Sequence, residues 1–85
     1  MFYTYVLENP KDWSLYIGYT NNLSRRIREH RRGQSEYTST RGPYKLICYF
    51  AMENERDAKK FEKYLKSGYG RRFLKSMLKN YLSNS

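Results

Sequence analysis

Eighty-five residues hold one domain, spanning 1–85, with one modest core and no room for a second. A formal charge of +9, from 17 basic against 8 acidic residues, speaks to partners and favours nucleic acid or another anionic surface. The single cysteine, Cys48, excludes an intramolecular disulfide and a thiolate metal site, and its apolar neighbours mark it as a small buried hydrophobe. No apolar run approaches the ~20 residues of a membrane span, and neither a signal peptide nor a repeat is expected, so the reading is a cytoplasmic module.

Phe2-Tyr3-Thr4-Tyr5-Val6-Leu7 is rich in aromatic and β-branched residues and predicts a strand. Asn9-Pro10-Lys11-Asp12 is turn chemistry, so a second strand over Ser14 to Thr20 should pair back as an antiparallel hairpin. A turn centred between Pro10 and Lys11 sets Tyr5 opposite Tyr16, Val6 opposite Leu15 and Thr4 opposite Ile17. One face then carries Phe2, Thr4, Val6, Leu15, Ile17 and Tyr19, and the other Tyr3, Tyr5, Tyr16 and Gly18. Two tyrosines beside a glycine suit a site better than a core. Ten tyrosines are in any case more than a small core needs.

A basic helix follows from about Asn22 to Arg32, capped by Asn21 or Asn22 and stopped by Gly33. Leu23, Ile27 and His30 form its stripe, with Arg26 four residues before His30, while Arg25, Arg31 and Arg32 add charge for a polyanion. Gly33 to Pro43 is a polar loop, and Tyr37, Arg41 and Tyr44 interleave aromatics with charge as a loop touching nucleic acid would. The nearly continuous apolar run Tyr44 to Met52 predicts a third strand, at the sheet's centre or buried on both faces. Asn54 caps a second helix from Glu55 to Ser67, closed by Gly68.

Glu62 falls within that helix's apolar stripe of Ala58, Phe61 and Leu65. A carboxylate there is costly unless it is paired or binds a cation, so it is either salt-bridged to an arginine or a functional acid. After Gly70, Arg71 and Arg72 lead a third helix whose stripe of Phe73, Leu74, Met77, Leu78, Tyr81 and Leu82 covers the core or joins a second copy. The fold class is therefore α+β, a three-stranded antiparallel sheet flanked by helices in the order ββαβαα.

This order, with these residues, resembles the GIY-YIG nuclease family over Phe2 to about Leu74. Tyr16-Ile17-Gly18 is a literal match to the second half of the family's name, and Tyr3-Thr4-Tyr5 stands where the first half falls, with tyrosine in place of its first glycine. It looks most like short bacterial members related to the amino-terminal nuclease domain of the bacterial excision-repair nuclease.

The resemblance implies a phosphodiester-hydrolysing site made of Tyr5, Tyr16, Arg26, His30 and Glu62, with Gly18 giving close approach. Glu62 would hold one divalent ion, Mg²⁺ or Mn²⁺, which binds few carboxylates and keeps its waters. Arg26 would grip the phosphate bidentately, one of Tyr5 and Tyr16 would be the general base, and His30 would bond a tyrosine hydroxyl or the phosphate. The expected function is a metal-dependent endonuclease on DNA, structure-selective and tied to repair, acting as a monomer or weak homodimer. Arg25, Arg31, Arg32, Arg41, Arg71 and Arg72 would bind the backbone. The rival expectation is a nucleic-acid-binding module without turnover, and a third is an interaction partner using its last helix.

Overall fold

The strand that every other element packs around is β1 (Phe2–Glu8), buried without a break from Thr4 to Glu8. In this computed structural model, which describes residues 1–32 and 44–83, β1 pairs antiparallel with β2 (Leu15–Thr20) on one side and β3 (Lys45–Met52) on the other. The helices are α1 (Leu23–Arg31), α2 (Glu55–Leu65), α3 (Gly68–Met77) and a short α4 (Lys79–Ser83). The expected α+β fold with a three-stranded antiparallel sheet is present.

The central strand is β1, and the apolar third strand lies at an edge, contrary to expectation. The run in β3 stays apolar because its outward residues form a surface aromatic contact: Tyr49, half-exposed, meets Tyr3 edge-on with ring centroids 6.1 Å apart. Tyr44, expected on a nucleic-acid loop, is instead buried in a cluster with Tyr5, Leu7 and Ile27. Cys48 is half-buried as a hydrophobe beside Val6, and burial pushes its thiol up.

The hairpin register also differs, by two residues. Tyr5 faces Gly18, Val6 faces Ile17 and Leu7 faces Tyr16, because the loop takes four residues, Pro10 to Trp13. The Asn9 N–H donates to the Ser14 carbonyl at 2.9 Å and the Trp13 N–H to the Asn9 carbonyl at 2.8 Å. Asn9 Oδ1 accepts from the Lys11 N–H at 2.9 Å, and Asp12 Oδ1 accepts from the Ser14 N–H at 3.0 Å. The predicted turn residues thus act as predicted, one residue further along. A slip of two preserves the face of every side chain, so the sorting of the tyrosines survives.

The sheet divides two cores. On one face Tyr5 and Leu7 pack with Ile27 of α1, and Tyr16 and Leu23 join them. On the other, Val6 and Ile17 pack with Leu65 and Leu74, sealed by Phe50, Phe61 and Phe73. Burial of Leu65 and of Leu74 contributes about 1.5–3 kcal/mol each. Ala58 lets α2 come close enough for Thr4 Oγ1 to donate to its carbonyl at 2.6 Å.

Beyond Leu65 the chain does not stop at Gly68. Ser67 caps α3 by accepting from the Gly70 N–H at 3.2 Å, so both glycines lie in the first turn of α3. A Cβ on Gly70 would run into the Tyr64 carbonyl oxygen and Leu65 Cα, whereas one on Gly68 meets nothing within 4 Å. The expected last helix is broken near Leu78, and α4 returns Tyr81 to donate to Glu8 Oε1 at 2.6 Å. Urea unfolding should therefore separate the glycines: Gly70→Ala should lose about 1–3 kcal/mol by overpacking, and Gly68→Ala should gain about 0.4–1 kcal/mol. Equal effects would contradict this account of the α2–α3 junction.

Candidate active site

Gly18 makes the site possible by what it lacks. A Cβ there would overlap the Tyr5 ring carbon Cζ and its hydroxyl, so the ring lies flat across the glycine toward the outer edge of β2. That placement brings a fully buried phenol to α1, the helix that Asn22 starts by accepting from the Arg25 N–H at 3.1 Å. Arg26 and His30, one turn apart, both reach the same oxygen. Arg26 Nε donates to it at 3.3 Å, and His30 Nε2 lies 2.9 Å from it.

Glu29 completes the arrangement and was missed in the sequence, although its spacing from Arg26 was visible. Its carboxylate accepts from the Arg26 Nη1 at 2.9 Å and lies 3.9 Å from the Arg25 Nε. The hydrogen bond from Arg26 holds the Glu29 carboxyl below its usual range. Burial alone would lower the Arg26 guanidinium, but the bonds to Glu29 and Tyr5 outweigh it and raise it further. Arg26 is therefore a fixed cation, held by two of its five N–H groups with three left for a ligand.

Burial pushes the Tyr5 hydroxyl up to about 12, with the Arg26 hydrogen bond opposing and the Tyr16 and Glu62 charges adding. Tyr16 is half-buried on the same face, its ring 6.3 Å from Tyr5 and 5.1 Å from His30. Glu62, on the flank of α2, is about a quarter exposed and paired with Lys66 at 3.0 Å, not with an arginine. Its charge still reaches Tyr5. Five of the expected residues thus converge: Tyr5, Tyr16, Gly18, Arg26 and His30 on one face, with Glu62 within electrostatic range from the other side.

The arginines expected to bind nucleic acid fall into two groups. Arg25, Arg31 and Arg32 are exposed on or just beyond α1, and Arg71 and Arg72 are exposed on α3, across the sheet. Arg41 lies outside the described residues. Among the described residues no three His, Cys, Asp or Glu side chains gather as a metal cage. A single carboxylate at a solvent-reaching position suits an ion that keeps most of its waters, as Mg²⁺ does.

His30 provides a direct check of this geometry. It is the protein's only histidine and is almost fully buried. Burial, helped by the Arg26 charge and opposed by Glu29, depresses it from 6.5 to about 4. Between those values the unfolded chain binds the extra proton, so stability should be full above pH ~6.5 and fall by roughly 1–3 kcal/mol as pH drops toward 4. An NMR titration of the single imidazole should show a midpoint near 4, and a midpoint at the ordinary value would contradict the buried network.

Residues 1–76 match the family described as the GIY-YIG catalytic domain. A UPF0213 protein of Clostridium perfringens is 48% identical over 67 residues, 78% of this chain and 71% of that protein. One from Pediococcus pentosaceus is 39% identical over 83 residues, covering 96% of this chain and 86% of its own. The solution NMR structure of a UPF0213 protein from Bacillus halodurans superposes with a TM-score of 0.56 at 37% identity, over 91% of this chain and 85% of that one.

Proposed function

The chain belongs to the GIY-YIG family, alongside bacterial UPF0213 proteins, and from that membership we propose that it is a metal-dependent endonuclease hydrolysing phosphodiester bonds in DNA. Membership supports a nuclease-type domain that binds nucleic acid. The observation that carries the finer reading is a clamped guanidinium, Arg26, beside two tyrosines of unequal burial, with one carboxylate in electrostatic range.

Arg26 uses its three remaining N–H groups to hold the phosphate, and Glu29 and Tyr5 keep the fork aimed. Burial raises Tyr5 to about 12, so its hydroxyl stays protonated well into the alkaline range. It is therefore a hydrogen-bonding and orienting group. A neutral His30, its Nε2 hydrogen-bonded to the Tyr5 oxygen at 2.9 Å, fixes the hydroxyl. Tyr16 is the more accessible of the two, with the Arg26 charge close by, and passes its own hydroxyl proton to solvent as it takes the proton of the attacking water. A divalent ion, Mg²⁺ or Mn²⁺, held by Glu62 would supply Lewis-acid stabilisation of charge on the phosphate and the leaving oxygen. Lys66 would give up its bond to Glu62 when that ion binds.

A domain of this size offers by itself little surface for reading a long sequence, which supports cutting selected by DNA structure, as in repair of branched or flapped ends. Glu62 already neutralised by Lys66 is the one feature that favours the rival, a binding module without turnover. A panel of plain, flapped and branched DNA with Mg²⁺ decides between them. The wild type should cleave, Glu62→Gln should abolish cleavage, and Arg26→Lys should lose roughly 10²–10³-fold. Tyr16→Phe should lose about 10²–10⁴-fold, with Tyr5→Phe the milder of the two. Cleavage by Glu62→Gln at the wild-type rate, or none by the wild type on any substrate, would overturn the proposal.

A further inference from the structure

Trp13 is the only tryptophan in the chain, and it stands at the hairpin tip more than half exposed. Its backbone has φ of 65°, the left-handed region where glycine or asparagine is at home and a bulky side chain is an outlier. Nothing in the core calls for it. A turn that could have closed on glycine instead keeps a large, exposed ring in a strained position. Such outliers collect where a ligand is met.

Directly beside the tip lies a cleft of about 310 Å³ lined by Ser14, Leu15, Arg71 and Lys75. It adjoins a smaller one of about 120 Å³, lined by Leu15, Ile17, Leu65, Lys66, Arg71 and Leu74. Arg71 and Lys75 are exposed, one turn apart on α3, so their like charges repel on the same helix face. Among the described residues neither is in an ion pair with an acid. The walls are apolar, the rim is cationic, and Lys66 joins the cleft to Glu62 at 3.0 Å. An aromatic platform next to a cationic groove with apolar walls matches the chemistry of one nucleic-acid strand: a π-face for a base, cations for phosphates, apolar surface for sugars.

We propose that Trp13, Arg71 and Lys75 form a single-strand-binding site, with an unpaired base stacked on Trp13 and its phosphates on α3, leading the strand past Lys66 toward Glu62. The site rests on the reading of the protein as one that acts on nucleic acid, and adds to it that the substrate has an unpaired segment. In a duplex the bases are already stacked on each other and have no face to offer Trp13. β2 is an edge strand, so a strand can pass from the cleft around its open side to Tyr16, three residues and roughly 10 Å along from Trp13.

Because Trp13 is unique, its own fluorescence reports the contact. Oligothymidylate and oligouridylate of about 15 nucleotides, added to the wild-type protein in EDTA so that nothing is cut, should quench it, and a duplex of equal length should not. The two oligomers separate DNA from RNA, and quenching by either supports the site. Trp13→Gly should weaken binding of the quenching oligomer, read by anisotropy of a labelled strand, by roughly 5- to 100-fold, while its melting temperature stays level or rises as the backbone strain is relieved. A tryptophan with only a structural role would give the opposite pair of results. Arg71→Gln with Lys75→Gln should reduce the slope of log K against log salt by about 1.4, or 0.7 for each phosphate no longer neutralised.

Saturating single strands without quenching, equal quenching by duplex, or undiminished binding by Trp13→Gly would each overturn the site. DNA cleavage with no quenching would leave the nuclease reading standing and remove only this one. Quenching with no cleavage would do the reverse.

Discussion

A phenol hydroxyl buried at the centre of the sheet is the constraint on which the rest of the structure depends. Tyr5 sits on the middle strand with neighbours on both sides, so its oxygen cannot reach bulk water and must be bonded within the protein. Gly18 leaves the space the ring occupies, and the ring then fixes where its partners must stand. Both come from α1, one turn apart. The helix is therefore held in rotation and height by polar bonds as well as by Ile27. Glu29 adds a third point by tying down Arg26 from the solvent side. Such a network is costly to leave half-made, which makes it rigid once complete.

The same constraint separates two tyrosines that look alike in the sequence. They share a face because they lie on adjacent strands with the right parity. Their surroundings differ because β1 is interior and β2 is an edge. Burial holds the Tyr5 hydroxyl in its protonated form, whereas Tyr16 keeps access to solvent. Strand order, more than residue type, thus sets their environments apart.

That order was the part least readable from sequence. The face assignments of Tyr5, Tyr16 and Gly18 followed from alternation alone and survive a register error of two, since parity is all they need. The error arose because Asn9, Pro10 and Asp12 announce a turn without fixing how many residues it spends, and the loop spends four. The apolar run of β3 suggested a centre that belongs to β1, because surface contacts such as Tyr3 with Tyr49 keep an edge strand apolar too. Gly68 read as a stop, yet Ser67 caps a new helix that takes both glycines into its first turn. Glu62 read as lying within the apolar stripe and paired, if at all, with an arginine, whereas it stands on the flank of α2 with Lys66 at i+4 as its partner.

Three places among the described residues break local rules, and together they sort structure from function. Glu8 is a buried carboxylate with one oxygen bonded to Tyr81 and the other without a hydrogen-bond partner among the described residues. Its bond spans from the first strand to the last helix, which gives it the work of docking α4. The Tyr5–Arg26–His30 network is also buried and polar, but it opens through Arg26 to an edge strand and so has a direction in which to act. Trp13 breaks the rules in the opposite sense, with a large ring more than half exposed on a strained backbone. An internal bond accounts for Glu8, and an open donor fork accounts for the tyrosine network. The half-exposed ring of Trp13 is what the proposed strand-binding site would cover, and the cations on α3 suit an anionic partner.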